Sequence, residues 1–99
     1  MRRFQVYRMG EDGTLALDLQ SNLLGGLETR VVAPLVLAAD VSKLVSRLNP
    51  RFTINGSVYV MMTEFLTAVH MREIGETVAD LSGRADDIVA ATDFLFQGF

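Results

Sequence analysis

The clearest structural signal in this chain is FTINGSVYVMM, residues 52–62. Residues with a high strand propensity stand on both sides of Asn55 and Gly56. Both central residues of a type I′ turn need a positive φ angle, which asparagine and glycine tolerate better than other residues. The stretch therefore predicts a β-hairpin, with strands at 52–54 and 58–62.

A second hairpin is predicted at the amino-terminal end of the chain. Apolar and polar residues alternate over 4–8 and again over 15–20, as expected for strands with one buried face. Residues 10–13, GEDG, form a turn signal between them. Residues 21–29 follow as a loop that contains two glycines and two leucines.

The middle of the chain is less regular. Residues 30–35 have strand propensity, but Pro34 cannot donate to a ladder and predicts a sheet edge or a strand end there. Residues 36–47 leave a short helix and an irregular crossover as open alternatives. Residues 63–74 predict one more strand or a broken pair.

The last element is predicted to be a helix that begins with Ser82 as its N-cap. Asp86 and Asp87 lie near the start, where acidic side chains interact favourably with the helix dipole. A sheet-facing stripe follows helical spacing: Ala85, Ile88, Ala91, Thr92 and Leu95. Five or more strands followed by one helix predict an α+β fold, a mainly antiparallel sheet or small barrel capped by a helix.

The chain ends on residues 94–99, FLFQGF, with three aromatic residues in six. Gly98 is the predicted helix stop, and a carboxylate beside the negative pole of a helix favours a cationic neighbour. Such an apolar end is either packed into the core or offered to a partner. A second helical stripe of Val89, Asp93 and Phe96 is partly apolar and is available to another chain.

The composition restricts the possible functions. The 99 residues, 49% of them hydrophobic, predict a single domain over 1–99. The absence of cysteine excludes disulfides and thiolate metal sites and favours a cytoplasmic location. A net charge of -3 disfavours binding to nucleic acid. No apolar run approaches the ~18 residues that a membrane span requires.

No set of residues indicates catalysis or a cofactor. His70 is the only histidine, and one imidazole cannot build a metal site; it is interpreted as a strand or turn residue with a hydrogen-bonded ring. Asp86 and Asp87 are adjacent on a helix and point away from each other. Met61 and Met62 are neighbours in a predicted strand, so one of the two must face the protein core. The sequence therefore predicts a protein that is not an enzyme.

Segments along almost the whole chain carry a family resemblance. In chain order they are FQVY at 4–7, DLQSNLL at 18–24, TRVVAPL at 29–35, VMMT at 60–63, IGETVADLS at 74–82, DI at 87–88 and FQGF at 96–99. With this order and spacing, the chain resembles the CcdB family, the toxins of plasmid-borne and chromosomal toxin–antitoxin modules.

The resemblance implies an SH3-like small antiparallel barrel with an additional sheet and one long C-terminal helix. It implies a homodimer whose two helix ends meet near the twofold axis. It also implies a non-enzymatic poison of DNA gyrase, which inserts between the two gyrase A subunits and traps the cleaved-DNA complex. A CcdA-like antitoxin would neutralise it through a disordered arm that folds on binding.

Carried over from the family, the gyrase-binding positions are Leu23, Leu24, Asp93, Phe96, Gln97, Gly98 and Phe99. The family usually has a tryptophan where this chain has Gln97, and that tryptophan stacks on an arginine of gyrase. One alternative is therefore an antitoxin-binding protein with weak or no gyrase poisoning. Another is an endoribonuclease of the MazF kind, which shares the fold, although the acidic composition disfavours an RNA-cutting surface.

Overall fold

Seven β-strands and one α-helix make up the fold, in a computed structural model that describes all 99 residues. In chain order they are β1 (Gln5–Met9), β2 (Thr14–Asp18), β3 (Thr29–Leu37), β4 (Arg51–Ile54), β5 (Ser57–Met61), β6 (Thr67–His70), β7 (Ile74–Asp80) and α1 (Ala85–Gln97). Short 3-10 turns connect several of them. The predicted α+β class, mainly antiparallel with one C-terminal helix, is confirmed.

All strands belong to one antiparallel sheet with the order β4-β5-β3-β2-β1-β7. Strand β3, nine residues long, is central because it pairs with β2 along one edge and with two strands along the other. Its first half, Thr29–Val32, pairs with β6, and Leu35–Leu37 pair with β5. The sheet curls into a half-barrel, in agreement with the small antiparallel barrel that the family resemblance implies.

Both predicted hairpins are present. In the β4–β5 hairpin Ile54 pairs with Ser57, and the two turn residues have positive φ angles, 50° at Asn55 and 84° at Gly56. These angles are those that a type I′ turn needs. In the β1–β2 hairpin the pairing runs from Val6 with Leu17 to Met9 with Thr14.

The prediction that Pro34 marks a sheet edge or strand end is wrong, because Pro34 lies inside β3. The Met62 N–H donates to the Pro34 carbonyl oxygen at 2.9 Å, so the nitrogen of Pro34 faces the same edge. On that edge the β6 pairing ends at Val32 and the β5 pairing begins at Leu35. The missing N–H therefore falls in the gap between two partner strands, where no ladder bond is lost.

Strand β7 was not predicted from the sequence, which placed one more strand within 63–74, where β6 lies. β7 pairs only with β1, and its register shifts twice. Most of its residues are exposed, so it lacks the clean alternation of a half-buried strand. At Gly75 a Cβ atom would lie 2.6 Å from the carbonyl oxygen of Arg8, a contact that only glycine avoids.

The helix starts later than predicted. Ser82 opens a 3-10 turn, and the cap residue of α1 is Arg84, whose side chain makes no capping bond. The Ser82 N–H instead donates to the Asp80 carboxylate at 2.8 Å, and this bond lowers the pKa of Asp80. Asp86 and Asp87 lie in the first turn, as predicted.

The hydrophobic core lies between the curled sheet and α1. From the predicted sheet-facing stripe, Ile88 and Ala91 are fully buried. Met61 is also fully buried while Met62 is partly exposed, as expected for neighbours on a strand. The core cluster consists of Val6, Leu15, Leu17, Leu19, Ala33, Leu35, Phe52, Ile54, Met61, Ile88 and Ala91.

A fully buried ion pair joins the end of β2 to the start of β3. Arg30 donates to Asp18 Oδ2 from Nη2 at 2.6 Å and from Nε at 3.1 Å, and neither side chain is exposed. The hydroxyl of Tyr7 donates to the same oxygen at 2.5 Å. Burial, together with the hydrogen bond and negative charge of Asp18, raises the pKa of Tyr7 well above its usual value.

The same carboxylate also positions the loop after β2. Asp18 Oδ1 accepts the Gln20 N–H at 3.0 Å. The Gln20 side chain then accepts the Val31 N–H at 3.0 Å and donates to the Leu24 carbonyl oxygen at 2.9 Å. A chain of hydrogen bonds therefore runs from the ion pair to the loop that carries the predicted binding residues.

We predict that Asp18→Asn lowers the free energy of unfolding by about 3–5 kcal/mol, because it leaves the Arg30 guanidinium buried without its counter-charge. The measurement is urea denaturation. The control is Glu76→Gln, which removes the exposed partner of Arg8 and should cost less than about 1 kcal/mol. Equal losses for the two variants would contradict the assigned role of the buried pair.

Candidate protein-binding site

The carboxyl-terminal residues project into solvent. Phe96 is 70% exposed and Phe99 is 75% exposed. Gly98 ends α1 with a φ angle of 80°, and its N–H donates to the Phe94 carbonyl oxygen at 2.9 Å, as expected of a helix stop. Of the two alternatives that the sequence left open, the chain has the exposed tail.

The loop after β2 presents two further apolar side chains. Leu23 is 95% exposed and Leu24 is 50% exposed, on a 3-10 turn at Asn22–Leu24. The Ser21 hydroxyl accepts the Leu23 N–H at 3.2 Å, and the Asn22 side chain accepts the Arg3 N–H at 2.8 Å. These bonds, with the Gln20 bond to Leu24, hold the turn in place although its side chains are exposed.

A groove of about 440 Å³ connects this loop to the helix end. Leu24 and Phe96, two of the predicted site residues, both line it. The other five, Leu23, Asp93, Gln97, Gly98 and Phe99, lie outside its lining. The structure therefore brings together residues that are far apart in the sequence, and Leu24 and Phe96 form the centre of the candidate site.

Sequence reasoning missed four apolar members of this groove: Leu19, Leu27, Val31 and Leu66. Leu27 is 48% exposed and follows Leu24 in the same loop, so an exposed leucine in a glycine-rich segment was the available signal. Leu66 lies after β5 and reaches the groove only through the pairing of β6 with β3. No local pattern in the sequence marks Leu66.

The polar members of the predicted site lie on one exposed face of the last helical turn. Gln97 Nε2 lies 3.5 Å from Asp93 Oδ1, one turn earlier, at the outer limit of a hydrogen bond. The last turn of α1 contains no basic residue. Asp93 and the negative pole of the helix thus place negative charge on this face of the last turn.

The remaining candidates of the sequence have local structural roles. His70 ends β6 and accepts the Arg72 N–H on its Nδ1 at 3.1 Å, so its ring is hydrogen-bonded as predicted. Asp87 pairs with Arg84 at 2.7 Å.

No group of three or more histidine, aspartate and glutamate side chains is arranged to hold a metal ion. No helix has the length and apolar character needed to cross a bilayer.

An exposed apolar groove beside aromatic side chains is a feature that commonly marks a binding surface. The chain belongs to the CcdB family: the family model described as CcdB protein matches residues 3–98. This membership makes it a toxin of a toxin–antitoxin module.

Among solved structures, an endoribonuclease in complex with its cognate antitoxin from mycobacterial species has a similar fold. It is 16% identical to this chain, with a TM-score of 0.76, and the match covers 94% of this chain and 91% of that chain. At this identity the similarity shows that the fold is shared.

We predict that deletion of residues 97–99 changes the free energy of unfolding by no more than about 1 kcal/mol, because Gln97 and Phe99 are exposed and none of the three belongs to the core. Thermal and urea melts provide the measurement. The contrasting variant is Ile88→Ala, which empties a fully buried site and should cost about 2–5 kcal/mol. A truncated protein as unstable as Ile88→Ala would show that the tail packs as core.

Proposed function

We propose that this toxin binds the A subunit of DNA gyrase through its C-terminal surface and traps the cleaved-DNA complex. In this proposal it acts by binding, without catalysis of its own. The observation that supports it is that the exposed Phe96 lines one groove with Leu24 while Phe99 is exposed at the end of the same helix; all three are gyrase-binding positions by family resemblance. A CcdA-like antitoxin is the proposed neutralising partner.

The chemistry of the helix end suits a cationic partner surface. Phe96 and Phe99 offer aromatic faces, and a guanidinium over such a face is attracted by the ring quadrupole. Asp93 and the C-terminal pole of the helix add negative charge, and the last turn itself contains no basic residue, although Arg47 stacks on its Phe94 ring. An arginine of gyrase could therefore be bound here even though Gln97 has no π face.

A homodimer would double this surface. Leu24, Leu27 and Phe96 are large apolar side chains with exposures of 48% or more, and they lie around one groove. Clustered exposed apolar residues usually mark an interface, and a twofold axis beside this groove would bring two helix ends together. The two tails would then form one continuous binding surface.

We predict that light scattering at micromolar concentration gives twice the mass of the 10.9 kDa chain. Leu27→Asp should shift the mass toward the monomer, because a charge in an apolar interface is costly to desolvate. Val58→Asp is the matched control, since Val58 is also exposed but lies in β5, outside the groove. A wild-type chain that remains monomeric would exclude the dimer.

The second candidate function rests on Gln97. Without the usual tryptophan, a cation–π contact worth about 0.5–2 kcal/mol is absent at that position. The chain would then remain an antitoxin-binding protein that poisons gyrase weakly or not at all. This alternative differs from the first only in the strength of gyrase binding, which can be measured directly.

We predict that the wild-type protein produces linear DNA in a gyrase cleavage assay and that deletion of residues 97–99 abolishes it. Gln97→Trp should strengthen binding to a gyrase A fragment by about 0.5–2 kcal/mol, through stacking on a guanidinium. Ser57→Trp, which places the same side chain on the β4–β5 hairpin, should leave binding unchanged.

The outcomes separate the two functions. No linear DNA from wild type, with cleavage restored by Gln97→Trp, would favour the antitoxin-binding alternative. A truncated protein that still traps cleaved DNA would refute the proposed binding surface. Reversal of cleavage on addition of the cognate antitoxin would support its proposed neutralising role, and an RNA-cleavage assay run in parallel tests the endoribonuclease alternative.

A further inference from the structure

We propose that a second groove, between the loop that precedes β4 and the start of α1, binds an acidic peptide segment of a partner protein. The groove has a volume of about 560 Å³. It shares no lining residue with the groove of Leu24 and Phe96. Three of the nine basic residues of the chain line it: Arg47, Arg51 and Arg84.

Two of the guanidinium groups are held against aromatic rings. The guanidinium carbon of Arg47 lies 4.5 Å from the centre of the Phe94 ring, and that of Arg84 lies 4.7 Å from the centre of the Phe52 ring. A guanidinium stacked in this way keeps the N–H groups of its edges free. Such edges match a carboxylate in a bidentate, charge-assisted pair.

The positive charge of the groove is only partly compensated. Arg84 pairs with Asp87 at 2.7 Å and also donates to the Arg51 carbonyl oxygen at 3.1 Å. Arg47 and Arg51 take part in none of the ion pairs of the molecule. Asp87 is the only acidic residue of the lining. Two arginines outside the ion pairs of the molecule thus line one cleft of a protein whose net charge is -3.

The wall that carries Arg47 is fixed before any partner binds. The buried Asn49 side chain donates to the Met61 carbonyl oxygen at 3.1 Å and to the Glu64 carboxylate at 2.7 Å, and it accepts the Val45 N–H at 3.1 Å. The buried Thr63 hydroxyl donates to the carbonyl oxygen of the preceding loop residue, Leu48. A preformed groove loses little conformational entropy on binding.

The observations favour a peptide over nucleic acid. Bases bind single-strand sites by stacking on free aromatic faces, but the Phe94 and Phe52 rings already carry guanidiniums. A short acidic segment can stay within reach of the three arginines, whereas an extended phosphate backbone would run beyond them onto the rest of a chain whose net charge is -3. Leu44, Pro50 and Ala90 add apolar surface to the lining, which suits a segment that alternates acidic and apolar side chains.

The test is a titration of the full chain with a blocked hexapeptide of alternating glutamate and leucine, monitored by the NMR signals of the arginine Nε–H groups. We expect saturable shifts of the Arg47 and Arg51 signals, and none with a peptide that has glutamine in place of glutamate. The Arg47→Gln, Arg51→Gln double variant should bind the acidic peptide at least about tenfold more weakly, since hydrogen bonds to charged groups are lost.

The matched control is the Arg2→Gln, Arg72→Gln double variant, which removes the same charge from exposed residues outside the groove. It should bind like wild type and melt like wild type. The groove variant loses the contact of Arg47 with Phe94 and should melt no more than about 4–8 °C lower. Absence of saturable shifts, an equal loss in the control, or tighter binding of a six-nucleotide DNA strand than of the peptide would each overturn the proposal. Because the groove is separate from the C-terminal surface, the gyrase assay does not decide this result.

Discussion

The buried pair of Asp18 and Arg30 is the constraint on which the rest of the structure depends. An ion pair removed from water depends on good geometry and on further hydrogen bonds to its polar atoms. Arg30 Nη1 is buried without a hydrogen-bond partner, so the carboxylate side of the pair supplies these bonds. Here one carboxylate receives Arg30 and Tyr7 on one oxygen and the Gln20 N–H on the other. These bonds connect β1, β2 and β3 at one end of the sheet. Any other register of these strands would leave a buried charge without its partner.

The candidate binding site is connected to the same network through the side chain of Gln20. Gln20 continues it to the Leu24 carbonyl oxygen, so the loop starts from a rigid base. The helix reaches the site from the opposite end of the chain, and Ile88 and Ala91 fix its distance from the sheet. Exposed leucines can therefore be presented without loss of order, because the Gln20 and Ser21 side chains hold the backbone of their loop by hydrogen bonds. Binding residues on a fixed support lose less entropy when a partner docks.

Local signals in the sequence account for the elements that were predicted correctly. Asn55 and Gly56 identify their hairpin because the turn itself needs positive φ angles, and Gly98 identifies the helix end for the same reason. The features that the sequence did not predict depend on contacts between residues far apart in the chain. β7 is defined by its pairing with β1, and Leu66 reaches the binding groove through the sheet. The buried Arg30 has no local signature either, since its environment is assembled from three strands.

The proline inside β3 has a consequence for how the sheet is kept in register. β5 and β6 approach the same edge of one strand from opposite ends, and each could in principle lengthen at the expense of the other. Pro34 offers no donor at the point where they meet, so a strand that advanced past it would gain an unbonded carbonyl instead of a ladder bond. Pro34 thus separates the pairing of β5 from that of β6 and disfavours a register shift of either strand along β3. A residue that ordinarily disrupts a sheet here protects the curvature on which the half-barrel depends.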